Sequence, residues 1–216
     1  MKSKTNFPFA ISTILVVVCQ LSLTPSHAAE ENVMQITLQT APIIYETKAE
    51  LPTPLERIAS QISQDYRNLD DEFSKHEYLE RLKPVIEKRI AEAEKVTEFR
   101  VVVGSDLDEY DFTRKAFPTG ISPQTFIPMG DYAVQFTNPE AAAFVPVPLE
   151  QAKKLSTALK SSRSCSITYT GTFVKCSEGQ INYSNVKILY LKVTKITIQL
   201  NSSGAEFSSE IGKQAG

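Results

Sequence analysis

The residues best placed for chemistry in this 216-residue chain are two cysteines, one histidine and a short run of acids. Of the chain's three cysteines and two histidines, Cys19 and His27 fall in an N-terminal stretch that reads as a leader. What remains is Cys165, Cys176 and His76, too few soft ligands for a zinc module. Cys165 and Cys176 invite a register test. If Thr170-Gly171 is a two-residue turn, Tyr169 faces Thr172, Ile167 faces Val174 and Cys165 faces Cys176. One surface of that hairpin then gathers Cys165, Ile167, Tyr169, Val174 and Cys176. Outside the cytoplasm such a pair is expected as a structural disulfide, and not as a redox pair of the Cys-X-X-Cys kind. The competing reading is one continuous strand bent at Gly171, which would hold the sulfurs some 30 Å or more apart.

His76 lies in the charged stretch Ser74-Lys75-His76-Glu77 of a predicted helix, and no Gly-X-Ser-X-Gly elbow occurs in the chain. It therefore reads as a solvated helix residue, not as the base of a nucleophilic site, and no catalytic residue is assigned. Asp106, Asp108, Glu109 and Asp111 crowd a link between predicted strands. Paired carboxylates could do acid/base work on glycans or bind calcium. The spacing fails the EF-hand pattern, since no glycine stands at the turn position and Phe117 occupies the twelfth. A solvated acidic loop is the plainer expectation. Gly104, Gly120, Gly130 and Gly171 are isolated, without a phosphate-binding or dinucleotide fingerprint, so no cofactor and no metal is expected.

Composition narrows the partners. The chain is 42% hydrophobic and 22% charged, with 23 basic and 25 acidic side chains. That balance suits a folded domain and argues against nucleic acid, which demands clustered Lys and Arg.

Several elements must position these groups. Lys2 and Lys4, the apolar run Phe7 to Leu23, and Ser26-His27-Ala28 form a secretory signal over residues 1–28. The alternative, a membrane anchor, is disfavoured because Gln20, Ser22 and Thr24 interrupt the run, and with no further long apolar stretch no membrane span is expected after cleavage. Residues 29–53 read as an arm or linker, with Met34 to Leu38 a short strand and Pro42, Pro52 and Pro54 as breaks. A single domain is expected over 54–200. Its helical part, 54–97, reads as a hairpin: Leu55, Ile58, Ala59, Ile62 and Tyr66 recur at helical spacing, then Phe73, Leu79, Leu82, Val85, Ile86, Ile90 and Ala93. Pro84 should kink or divide the second arm.

The part from 98 to 200 is rich in strands. Phe99–Val103, Tyr132–Thr137 and the Pro-broken Phe144–Val147 are predicted strands, and Pro148 opens an inserted helix to Leu159. In Val186–Leu200 the apolar phase shifts between Val193 and Ile196, which predicts a bulge or bend near Thr194. Residues 201–216 read as a flexible tail. The fold class expected is α+β, an N-terminal helical hairpin followed by a mainly antiparallel sheet with one inserted helix.

The block Tyr110-Asp-Phe-Thr-Arg-Lys-Ala-Phe-Pro118, with the Phe99–Val103 strand and the Pro148-to-Leu159 helix, resembles secreted bacterial proteins of an uncharacterised domain family. The resemblance implies an envelope location and no particular activity. The functional expectation is a periplasmic or secreted, non-enzymatic binding or structural module of the cell envelope. Its partner would be a protein or small ligand, met through aromatics such as Tyr132, Tyr183 and Tyr190, although core packing is the more natural use of Tyr132. The alternative is a carboxylate-dependent hydrolase of envelope glycans centred on residues 106–111.

Overall fold

The computed structural model describes residues 32–49, 54–160, 162–181 and 183–212. The expected signal segment, part of the expected linker and the last four residues lie outside them.

In chain order the described elements are β1 (Val33–Gln35), α1 (Ala41–Lys48), α2 (Leu55–Ile62), α3 (Gln64–Arg67), α4 (Glu72–Lys95), β2 (Glu98–Asp106), β3 (Ala116–Pro118), β4 (Ile127–Met129), β5 (Tyr132–Phe136), α5 (Pro139–Ala142), β6 (Phe144–Pro146), α6 (Leu149–Ala158), β7 (Ser164–Ile181), β8 (Ser184–Leu200) and β9 (Glu206–Glu210). The class is mixed α and β, built on a curled sheet. Seven strands run in the order β1-β2-β7-β8-β5-β4, with β9 also paired to β8. Most pairs are antiparallel, but β1 with β2 and β5 with β8 are parallel. A small second sheet joins β3 to β6.

The long strands β7 and β8 form the spine. Their inward rows can be followed through two irregularities. On β8 the buried row runs Leu200, Ile198, Ile196 and then Val193, Leu191, Leu189. Thr194 is the extra residue between Lys195 and Val193 in the pairing, so the expected bulge is where the apolar phase put it. On β7 the row runs Cys165, Ile167, Tyr169, Gly171, Phe173, and Val174 is passed over before Cys176. Each bulge resets the parity, so the side chains after it return to the core face.

Gly171 marks the correction to the cysteine hairpin. It does not turn the chain. β7 passes straight through it, flanked by Phe99 of β2 on one side and Val193 of β8 on the other. The turn falls instead between Ile181 and Ser184. Two physical facts favour this outcome. A turn at Thr170 would need a positive φ that a β-branched residue resists. A strand paired on both sides also satisfies the backbone groups of the whole Cys165–Thr172 stretch, which a hairpin edge would leave to water. Cys165 and Cys176 are therefore eleven steps apart on one strand, roughly 35 Å at ordinary rise. Both are free thiols.

Two further expectations are corrected. The expected linker contains α1, whose Ala41, Ile43, Ile44, Tyr45 and Glu46 are buried. Pro42 falls in the first turn of that helix, where a missing N–H costs nothing, so it opens the element instead of breaking it. The expected tail contains β9, which pairs along Lys195–Gln199 and buries Phe207. Pro84 leaves α4 undivided, from Glu72 to Lys95.

Helix α1 touches both apolar clusters. Ala41, Ile44 and Tyr45 join the sheet core with Phe99, Tyr132, Tyr169 and Leu189. Ile43 joins Ile58, Ala59, Tyr66, Leu79, Ile86 and Ala93 of the helices around it. Its position between the sheet and α2–α4 is what brings one charged residue, Glu46, into the interior.

Candidate functional site

The inward row of β8 ends on a charge. After Leu189 the next inward position is Lys187, and its partners across the sheet are Tyr132 on β5 and Glu178 on β7. These three residues form one cross-strand rung, the last before β7 and β8 run free toward their turn. Helix α1 lays Tyr45 and Glu46 over it. Helix α2 presents Arg57 and Gln61, four residues apart and so on one face.

Glu46 is 1% exposed. Its Oε1 accepts a hydrogen bond from Lys187 Nζ at 2.7 Å and lies 3.4 Å from the Arg57 guanidinium. Lys187 is itself only 12% exposed, whereas Arg57 is 40% exposed. A buried carboxylate survives only where charge and hydrogen bonds surround it, and here two cations share one oxygen. The Lys187 ammonium also sits 4.7 Å from the Tyr45 ring centre and 5.9 Å from that of Tyr132. The two rings meet edge to face at 5.6 Å, which fixes both. Tyr132 donates its hydroxyl hydrogen to Gln61 Oε1 at 2.9 Å, tying β5 to α2.

Electrostatics follow from this packing. Tyr45 has its phenol pushed up to about 12, first by burial and then by the acidic groups around it that ionise at or below the same high pH, Cys176, Glu178 and Glu46. Burial raises Tyr132, against the opposing hydrogen bond with Gln61. The Cys176 thiol is raised by burial and by Glu46, so it is held as the protonated, weakly nucleophilic form.

A cavity of about 640 Å³ opens above the rung, with Arg57, Gln61, Asp131, Glu178 and Lys187 in its wall beside the strand ends Gly179–Gln180 and Asn185–Val186. Its size is that of a small-molecule site, and its lining is unusually polar for one.

The acids at 106–111, weighed as a site against a solvated loop, are not gathered. Between them Leu107 and Tyr110 turn inward and are buried, the Tyr110 hydroxyl donating to Val147 O, while Asp106, Asp108 and Glu109 face solvent. Asp111 serves its own turn. It accepts from the Thr113 and Arg114 backbone N–H groups and pairs with the Arg114 side chain at 2.8 Å. Those bonds, Arg114's first, hold its carboxyl below the usual range. Among the described residues no group of three or more His, Cys, Asp or Glu side chains could hold a metal ion. His76 is an exposed residue of α4.

Of the aromatics weighed for a contact surface, Tyr132 is buried in the core and Tyr190 lies beneath the Lys175 ammonium. Tyr183 is 99% exposed at the β7–β8 turn with φ +67°, a conformation a tyrosine seldom adopts.

Glu46, Arg57, Gln61 and Lys187 escape a motif search, because no two are close in sequence except the α2 pair. A signal existed nonetheless. Ala41, Ile44, Tyr45 and Lys48 repeat at helical spacing behind Pro42, a helix start inside the supposed linker.

Comparisons with protein-family models, with curated proteins and with solved structures found no match for the chain. Among the described residues no helix is long and apolar enough to cross a membrane.

Proposed function

We propose that this chain is an exported, non-enzymatic binding module of the cell envelope whose ligand site is the cavity over the Tyr132–Lys187–Glu178 rung. The observation that carries the reading is Glu46, a buried carboxylate held by two cations that themselves line an open polar cavity. A fold has no stability reason to prefer such a pair to apolar packing, and fixing donors at defined places is a use for it. Residues 54–97 are read as a helical hairpin whose first arm, α2, roofs the cavity. Export is supported by the leader-like first 28 residues and by the resemblance of the Tyr110–Pro118 block to secreted bacterial proteins.

The test is a thermal-shift screen of small polar compounds against the full chain and against Asn185→Trp, a bulky change at an exposed residue of the cavity wall. A ligand at a hundred times its Kd stabilises by about 2.7 kcal/mol, roughly 5–10 °C for a chain of this size. The expected result is such a shift in the natural protein and none in the variant. Equal shifts in both, or no shift with any compound, would overturn the reading.

A further inference from the structure

Resting on that cavity as the ligand site, we infer that its ligand is a zwitterion, carrying a carboxylate and a free ammonium as an amino acid or a short peptide does. The cavity is graded from donors to acceptors. Lys187 and Arg57 are the more buried charges of its wall, at 12% and 40% exposure, whereas Asp131 and Glu178 are both solvent-exposed at the rim. Gln61 has given its oxygen to Tyr132, so what it offers a ligand is its amide N–H₂. The interior side of the cavity is thus set to bind an anionic acceptor.

Lys187 is largely neutralised by Glu46 at 2.7 Å, but Arg57 is only loosely engaged at 3.4 Å, and its planar fork suits a carboxylate. The rim is opposite in sign. Asp131 and Glu178 together want a cation, and Lys187, which faces Glu178 across the rung, is already held by Glu46. A simple anion would satisfy Arg57 and Gln61 but meet two carboxylates on entry. A simple cation would satisfy the rim and leave the guanidinium and amide without partners, and a neutral sugar would use neither charge. One molecule with both groups matches both ends.

The experiment is isothermal titration of the full chain with four probes: L-alanine, L-alanyl-L-alanine, N-acetyl-L-alanine, which lacks the ammonium, and L-alaninamide, which lacks the carboxylate. Maltose and inorganic phosphate serve as neutral and anionic comparators. The zwitterions are expected to bind, with each blocked form weaker by at least about tenfold, the effect of losing one charge-assisted hydrogen bond. Glu178→Gln, at an exposed position, should weaken the zwitterions about tenfold and leave N-acetyl-L-alanine unchanged. Gln61→Glu should weaken every carboxylate probe. Whichever of alanine and its dipeptide binds tighter tells free amino acids from peptides as the source. Binding of N-acetyl-L-alanine as tight as that of alanine would overturn the inference while leaving the cavity as a site. Binding of maltose or phosphate in place of the zwitterions would do the same. Silence with every probe, on protein folded by circular dichroism, would also overturn it, and the wider compound screen would then decide the cavity by itself.

Discussion

Lys187→Met removes the cation closest to Glu46 while keeping most of the stem that lies against Tyr45 and Tyr132. Glu46, 1% exposed, then keeps the pairing with Arg57 at 3.4 Å. Stripping one partner from a buried pair costs about 3–5 kcal/mol, and a half-exposed arginine recovers part of that, so a loss of about 2–3 kcal/mol is expected. The same reasoning makes a sharper prediction for the double variant Glu46→Leu/Lys187→Met. With both charges replaced by apolar groups of similar size, no buried charge is left unpaired, because Arg57, 40% exposed, can turn to water, and stability should return to within about 1 kcal/mol of the natural protein. The assay is urea unfolding followed by circular dichroism, with the slopes compared to check that the compactness of the end states is unchanged. The single variants would then fail to add by well over 1 kcal/mol. A loss under about 0.5 kcal/mol for Lys187→Met, or a double variant that loses the sum of its singles, would refute the claim that Glu46 is a buried charge dependent on Lys187.

Three other predictions follow from the same geometry. Gly171→Ala would drive a Cβ into the Lys192 carbonyl oxygen, a backbone atom that cannot step aside, so a loss of about 1–3 kcal/mol is expected. Gly104→Ala, which meets nothing within 4 Å, is the control, and equal Tm values for the two would contradict the close approach of β7 and β8. Denatured protein that has seen no reductant should take up alkylating agent at both Cys165 and Cys176, as free thiols must. A mature chain two hydrogens light with neither thiol labelled would restore the hairpin register. Tyr45 and Tyr169 are both pushed up to about 12, chiefly by burial. Between pH 10 and 12 the unfolded chain then loses protons that the folded chain keeps, so their contribution is fully present below pH 10 and falls away as pH rises through that window. Tm measured at pH 9, 10 and 11 should drop over the last interval, and a flat profile would count against both burials.

What could be read from the sequence was local and periodic. The Thr194 bulge showed because an apolar alternation changes phase there, and a bulge is the only way for both halves to face one core. The strands at Phe99 and Tyr132 showed for the same reason. The cysteine register failed because alternation is blind to partners. Cys165, Ile167 and Tyr169 face inward whether β7 folds back on itself or lies between β2 and β8, and only the long-range pairing decides. The linker expectation fails because a proline marks a break and a helix start alike in sequence, and Pro42 stands in the first turn of α1. With α1 missed, Glu46 was invisible as a buried charge, and with it the site. The acids at 106–111 drew the eye because they are adjacent in sequence. Glu46, Arg57, Lys187 and Glu178 meet only through tertiary packing, which no spacing rule encodes.

The cavity is tested most directly by amide chemical-shift mapping on isotope-labelled full chain, using the strongest compound from the thermal-shift screen. The prediction is that perturbed amides concentrate at Arg57–Gln61, at Asp131–Tyr132 and along the paired ends of β7 and β8 from Glu178 to Lys187. Perturbations centred on Asp106–Asp111, or spread without focus over the sheet, would contradict it.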